Sequence, residues 1–199
     1  MIAILDFDMG NLRSIQKGIE QVGHKAVVTR DRAKIQSAHK LILPGVGAFR
    51  DGMRNLERYN LITPIYNAVE AGKPILGICL GMQLLFSESE EFGLTQGLGI
   101  IAGRVKRFTI NLKVPHMGWN SIDIKKPIPL LRNSTQGEYF YFVHSYYGEP
   151  EDPDCIAATT EYGICFPSVI SQGALFATQF HPEKSQSSGL KILKAFAEL

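Results

Sequence analysis

Pro74-Ile75-Leu76-Gly77-Ile78-Cys79-Leu80-Gly81-Met82-Gln83-Leu84-Leu85-Phe86 holds the key to this chain. An apolar run reaches Gly-x-Cys-x-Gly, and a second apolar stretch follows at helical spacing. Glycines two before and two after a nucleophile are what a sharp strand-to-helix turn requires, because larger side chains collide across it. A thiol at a helix N-terminus gains stabilisation of its thiolate, the reactive form. The reading predicts a buried strand over 74–78, a nucleophile at Cys79 and a helix opening at Gly81–Phe86. The bland alternative is a small buried hydrophobe, the usual fate of a free cysteine.

A nucleophilic cysteine needs a base, and the base needs an orienter. Phe176-Ala177-Thr178-Gln179-Phe180 reads as a strand and runs into His181-Pro182-Glu183. Histidine suits the task at neutral pH, and a carboxylate fixes its tautomer. Continued strand alternation predicts residues 181 and 183 on one side of the chain. A surface loop with an incidental histidine is the competing reading. The third element is Leu41-Ile42-Leu43-Pro44-Gly45-Val46-Gly47, an apolar strand ending in a small-residue loop. Acyl transfer needs backbone N–H donors aimed at the developing oxyanion. The amide of Leu80 is the natural first donor, and Gly45, Val46 and Gly47 offer the second. Neither Gly-Lys-Ser/Thr nor Gly-x-Gly-x-x-Gly follows, which disfavours a phosphate loop.

The flanking sequence predicts the scaffold. Strands are expected at Ile2–Phe7, Ala26–Thr29 and Lys40–Leu43, and helices at Asn11–Val22, Gly52–Arg58 and Pro64–Ala71. This alternation implies an α/β fold with an open, mostly parallel sheet and helices on both faces. The second half carries short strands at Arg104–Phe108, Ser121–Ile124, Tyr139–Val143, Ile156–Tyr162, Val169–Ser171 and Leu175–Phe180, which predict added antiparallel pairs. Ser188–Leu199 closes the chain as an amphipathic helix. One domain over 1–199 is expected, since 199 residues with 45% hydrophobic content bury one good core.

Composition excludes several classes. The net charge of +2 gives no electrostatic case for nucleic acid. Arg104, Lys106 and Arg107 read as a solvated strand face. Three cysteines suit a reducing cytosol, and Cys155 and Cys165 are expected to be buried packing residues. No Cys-x-x-Cys is present, so no metal is expected. The start Met1–Asp6 reads as a strand rather than a signal peptide, and no apolar stretch approaches membrane-spanning length. A cytoplasmic protein without a cofactor is the expectation. His24, His39, His116 and His144 read as structural or exposed, and the aromatics Tyr139–Phe142 with Tyr146 and Tyr147 as core or sheet-face residues.

Taken in chain order, the Pro-Gly-x-Gly loop, the Gly-x-Cys-x-Gly elbow and the His-Pro-Glu segment resemble the class I glutamine amidotransferases over nearly the whole chain. Asp6–Ser14, Pro115–Asn120, Phe142–Tyr147 and His181–Gln186 are similar to the branch that forms the glutaminase subunits of imidazole glycerol phosphate synthases. That branch usually has Tyr-Gly where this chain has Phe7-Asp8. The resemblance implies a flavodoxin-like fold, a Cys79–His181–Glu183 triad, and substrate-holding positions at Gln83, Ser145 and Tyr146. It also implies a TIM-barrel cyclase partner in a heterodimer, with Asn11, Met117, Trp119 and Lys184 as interface candidates. Two other readings stay open: a paralogous glutaminase serving a surface-sugar amidotransferase, and a γ-glutamyl hydrolase or cysteine peptidase.

Overall fold

A computed structural model describes residues 1–199. In chain order the first half holds β1 (Ile2–Leu5), α1 (Leu12–Gln21), β2 (Ala26–Thr29), α2 (Arg32–Ser37), β3 (Lys40–Leu43), α3 (Phe49–Arg58), α4 (Ile62–Glu70), β4 (Ile75–Ile78) and α5 (Leu80–Leu84). The middle adds β5 (Phe86–Ser89), β6 (Thr95–Gln96), β7 (Ile101–Arg107), β8 (His116–Ser121), β9 (Asp123–Ile124), β10 (Tyr139–His144) and β11 (Tyr146–Pro150). The chain ends with β12 (Ile156–Glu161), β13 (Cys165–Gln172), β14 (Leu175–Thr178) and α6 (Gln186–Ala197).

Eight strands form the central sheet in the order β2-β1-β3-β4-β14-β13-β12-β9. The first five are mutually parallel. β14, β13, β12 and β9 then pair antiparallel. β10 and β8 make a separate antiparallel pair, and β11-β7-β5-β6 a small mixed sheet. The fold class expected from the sequence is therefore the one observed.

The inner strands are apolar on both faces because both faces are covered. Ala3, Leu5, Leu41, Leu43 and Ile75 point into one core, with Ile35, Phe49, Leu56 and Ile65 from α2, α3 and α4. Ile2, Ile4, Ile42, Leu76 and Ile78 point into the other, with Ile15 and Ile19 of α1 and Ile192, Leu193 and Phe196 of α6. Each fully buried aliphatic side chain contributes roughly 1.5–3 kcal/mol, so these two layers hold the sheet rigid beneath its loops. No helix is long and apolar enough to cross a membrane.

Several expectations need correction. α2 escaped the sequence reading because its six residues bury only Ile35, too few for a helical period. Its signal was the cap: Asp31 accepts from the amides of Ala33 and Lys34. The helix after the elbow stops at Leu84, and Phe86 opens β5. Ser121–Ile124 is not one strand; it divides between β8 and β9, which lie in different sheets. β8 and β11 were not expected, since His116–Ser121 and Tyr146–Pro150 lack apolar alternation and owe their form to pairing with β10 and β7. β14 ends at Thr178 rather than Phe180. Cys155 is buried, but Cys165 is exposed at the start of β13. Arg104 and Lys106 do lie on a solvated strand face, where they pair with Glu88 and Glu149.

Candidate active site

β3, β4 and β14 are adjacent and parallel, so the three loops singled out in the sequence leave the sheet side by side. Open α/β sheets place ligands at these carboxyl ends. Cys79 follows β4 with φ 53° and ψ −107°, a left-handed backbone that a non-glycine residue rarely adopts. Its amide donates to the Thr178 carbonyl at 2.7 Å, tying the elbow to β14. The flanking glycines are sterically required. A Cβ on Gly77 would lie 3.0 Å from the Met82 nitrogen, and one on Gly81 would lie 1.8 Å from the Leu43 carbonyl oxygen. Gly81→Ala is expected to push β3 and the elbow apart, lowering the melting temperature by several degrees, since each 1 kcal/mol moves a domain of this size by about 2–4 °C. An unchanged melt and unchanged Cys79 alkylation rate would show that the turn has slack.

His181 follows β14, and its Nδ1 lies 2.8 Å from the Glu183 carboxylate, both side chains being 1% exposed. The geometry differs from the expected strand alternation: Pro182–Lys184 is a 3₁₀ turn, which curls Glu183 back under the ring. Burial pulls the imidazole pKa down, but the Cys79 sulfur and the Glu183 carboxylate outweigh it and hold the pKa well above its ordinary value. Nε2 is buried with no other partner and faces the Cys79 sulfur, whose charge and weak hydrogen bonding raise the ring's pKa.

A cavity of about 450 Å³ opens over Cys79. Val46, Gly47, Leu80, Gln83, Ser145, Tyr146 and Lys184 are among its lining residues. Gly45 packs beneath it, where a Cβ would meet that of Leu80 at 2.9 Å. The amides of Val46 and Gly47 have no protein acceptor, and Gly47 has φ 101°. Gln83 donates to the Tyr146 carbonyl at 2.9 Å. No cluster of three or more His, Cys, Asp or Glu side chains is arranged to hold a metal.

Three further residues belong to the site and escaped the sequence reading. Gln179 is fully buried; its Nε2 donates toward Cys79 Sγ at 3.7 Å, and its Oε1 accepts from Gln83. Its signal was an amide side chain inside the strand-like run 176–180. Glu91 lines the cavity and accepts from the Phe49 amide at 2.6 Å, at the N-terminus of α3. Ser185 donates to the His181 carbonyl and accepts from the Tyr141 amide, clamping the His181 loop to β10. Glu91 had no local signal because Phe49 lies 42 positions away, and the part Ser185 plays becomes visible only with Tyr141, 44 positions away.

Residues 3–198 match the family described as glutamine amidotransferase class-I. This chain belongs to that family. It is similar to proteins named imidazole glycerol phosphate synthase subunit HisH: 56% identical to that of Syntrophotalea carbinolica, with all of both chains covered, and 54% identical to that of Geobacter sulfurreducens, with 100% and 98% covered. Among solved structures, a crystal structure titled glutamine amidotransferase superposes with TM-score 0.78 at 19% identity, covering 100% and 99% of the two chains. The glutaminase domain of Trypanosoma brucei CTPS superposes with TM-score 0.70 at 18% identity, covering 99% and 93%. These likenesses support the fold.

As a class I glutamine amidotransferase, the chain carries a distinct surface beside the cavity. Met117 and Trp119 are 62% and 46% exposed on β8. The Trp119 and Tyr141 rings meet edge to face at 6.2 Å, and the Lys184 ammonium lies 5.9 Å from the Tyr141 ring centre. Asn11 is exposed one residue after Gly10, which packs on Gly45. The Phe7-Asp8 departure is absorbed locally. Phe7 is fully buried, and Asp8 takes φ 61° while bonding Arg30 and Tyr59.

Proposed function

We propose that this amidotransferase is the glutaminase subunit of an imidazole glycerol phosphate synthase, with the Cys79–His181–Glu183 set as its catalytic triad. The observation that carries the reading is the meeting of three loops at the ends of β3, β4 and β14, in a chain that is about half identical, end to end, to subunits of that name. Cys79 attacks the glutamine carboxamide carbon. The Leu80 amide and the Gly45–Gly47 loop hold the oxyanion. His181, held by Glu183, gives its proton to the leaving ammonia and then activates the water that cleaves the γ-glutamyl thioester. Glu91, the single acid lining the cavity, receives the substrate ammonium, and Gln83, Ser145 and Tyr146 bracket its carboxylate end.

Ammonia released into water is mostly protonated and ceases to be a nucleophile, so a dry route to a synthase partner is required. That partner is a TIM-barrel cyclase subunit forming imidazole glycerol phosphate in histidine biosynthesis. It seats on Asn11, Met117, Trp119 and Lys184.

The free chain is expected to hydrolyse glutamine slowly, and a liganded partner to raise kcat. Gly47 permits a peptide flip that turns a second donor toward the oxyanion, worth about 10²–10³-fold in kcat with little change in KM. Glutamate production is measured for the free chain, the complex, and the complex with the acceptor nucleotide. Equal kcat in all three states would show a preformed loop and no control by the partner.

A further inference from the structure

The proposed chemistry does not use a pair of histidines at the substrate wall, where His144 lines the cavity and His116 packs behind it. His116 on β8 and His144 on β10 are 3% and 6% exposed, and their Nδ1 and Nε2 atoms are 3.0 Å apart. Hydrogen-bond logic fixes every proton in this pair. His144 Nδ1 lies 2.8 Å from the Tyr146 carbonyl oxygen, which can only accept, so Nδ1 carries the hydrogen. In the neutral ring, His144 Nε2 then accepts from His116 Nδ1, which leaves His116 Nε2 as an acceptor. Asn120 Nδ2 supplies that bond at 3.3 Å. The Asn120 amide is itself oriented, since Nδ2 also donates to the Glu161 carbonyl and Oδ1 accepts from the Ser121 amide. The result is a one-way relay, Asn120 to His116 to His144 to the Tyr146 carbonyl. Gln83 bonds the same carbonyl from the cavity side.

The surroundings enforce neutrality. Phe108, Phe142, Phe166 and Tyr162 enclose His116, and Phe108, Phe142 and Phe166 also pack on His144. Tyr147 of β11 packs on Phe108 and Phe166. No carboxylate bears on either ring, and the other charged neighbour of His144 is His181, which disfavours a second positive charge. Burial depresses His116 to about 4 and His144 to about 3.

We propose that His144, backed by His116, is a positioning residue that fixes the Tyr146 carbonyl and so holds the Ser145–Tyr146 wall against Gln83 for the amino-acid end of the substrate. This rests on the glutaminase reading. The relay holds a binding surface that ground state and transition state share, so its loss acts on KM.

The test has two arms. In the first, steady-state kinetics with glutamine compare wild type, His144→Phe and His144→Asn, with the chain alone and co-purified with its partner. His144→Phe keeps an aromatic ring but removes both bonds; it is expected to raise KM about tenfold or more while kcat stays within about threefold. His144→Asn places an amide donor where Nδ1 was and is expected to recover most of the KM. An unchanged KM in His144→Phe, or equal KM in the two variants, overturns the proposal. The second arm needs no variant to fold. Ring-nitrogen NMR of the wild-type chain is expected to show both histidines neutral with hydrogen on Nδ1 from pH 8 down to pH 5. Hydrogen on Nε2 of either ring, or titration inside that range, overturns it. A wild-type chain that releases no glutamate in any state defeats the glutaminase reading instead, and the NMR arm tells the two failures apart.

Discussion

Cys79→Ala is expected to lower glutamine hydrolysis by about 10⁴-fold or more, since nucleophile removal in comparable triads costs up to about 10⁶ in kcat. The other two cysteines cannot substitute. Cys155 is buried away from the cavity, and Cys165 opens β13 on the surface. Alanine fits the elbow without new contacts, and the strained φ of 53° is tolerated no worse by alanine than by cysteine. The fold should therefore survive, and synthesis from added ammonia by the complex should continue at the wild-type rate. Purified Cys79→Ala that still releases glutamate would remove Cys79 from the reaction. Loss of both activities would instead indicate a damaged interface.

Glu183→Gln is expected to lower kcat by up to about 10⁴-fold, the scale seen when a triad orienter loses its charge. The carboxylate accepts from His181 Nδ1 and leaves Nε2 free to face the thiol. An amide in that place can present its NH₂ to the ring, which turns the proton to Nε2 and removes the base. The buried second oxygen, Oε2, has no partner to dictate which way the amide turns. The charge also supports the raised imidazole pKa, with burial working against it and Cys79 with it. Neutralising residue 183 should therefore bring the imidazole pKa down. A wild-type kcat with an unmoved pH profile would assign Glu183 to structure alone.

The parts of this site carried by local sequence were legible. Gly77 and Gly81 announced a turn because only glycine fits beneath it, and His181 and Glu183 are two residues apart. The parallel half of the sheet was legible because its strands are continuously apolar. What could not be read depends on distant partners. β8 and β11 are strands because β10 and β7 offer them ladders, not because His116–Ser121 or Tyr146–Pro150 alternate. Glu91 reaches the cavity through a bond to Phe49, 42 positions away, and Gln179 meets Gln83 across 96. His116 and His144 looked like bystanders for the same reason: each is unremarkable until the two rings are seen in contact. The 181–183 spacing was compatible with a hydrogen bond, but the turn that makes it is helical rather than extended.

The position of β14 has a consequence for how the chain comes off the ribosome. It fills the middle of the sheet, between β4 and β13, yet it is the last strand to be made. β4 emerges about a hundred residues earlier, which at 5–20 residues per second leaves its apolar edge open for on the order of ten seconds. During that interval the nascent chain presents both an aggregation edge and a thiol on an unfinished elbow. Insertion of β14 ends both conditions at once, because the same four residues that cover the edge deliver the loop bearing His181. With the proposed triad, glutaminase chemistry is thereby confined to chains whose sheet is closed, and a product cut short before residue 175 is expected to be sticky but chemically idle.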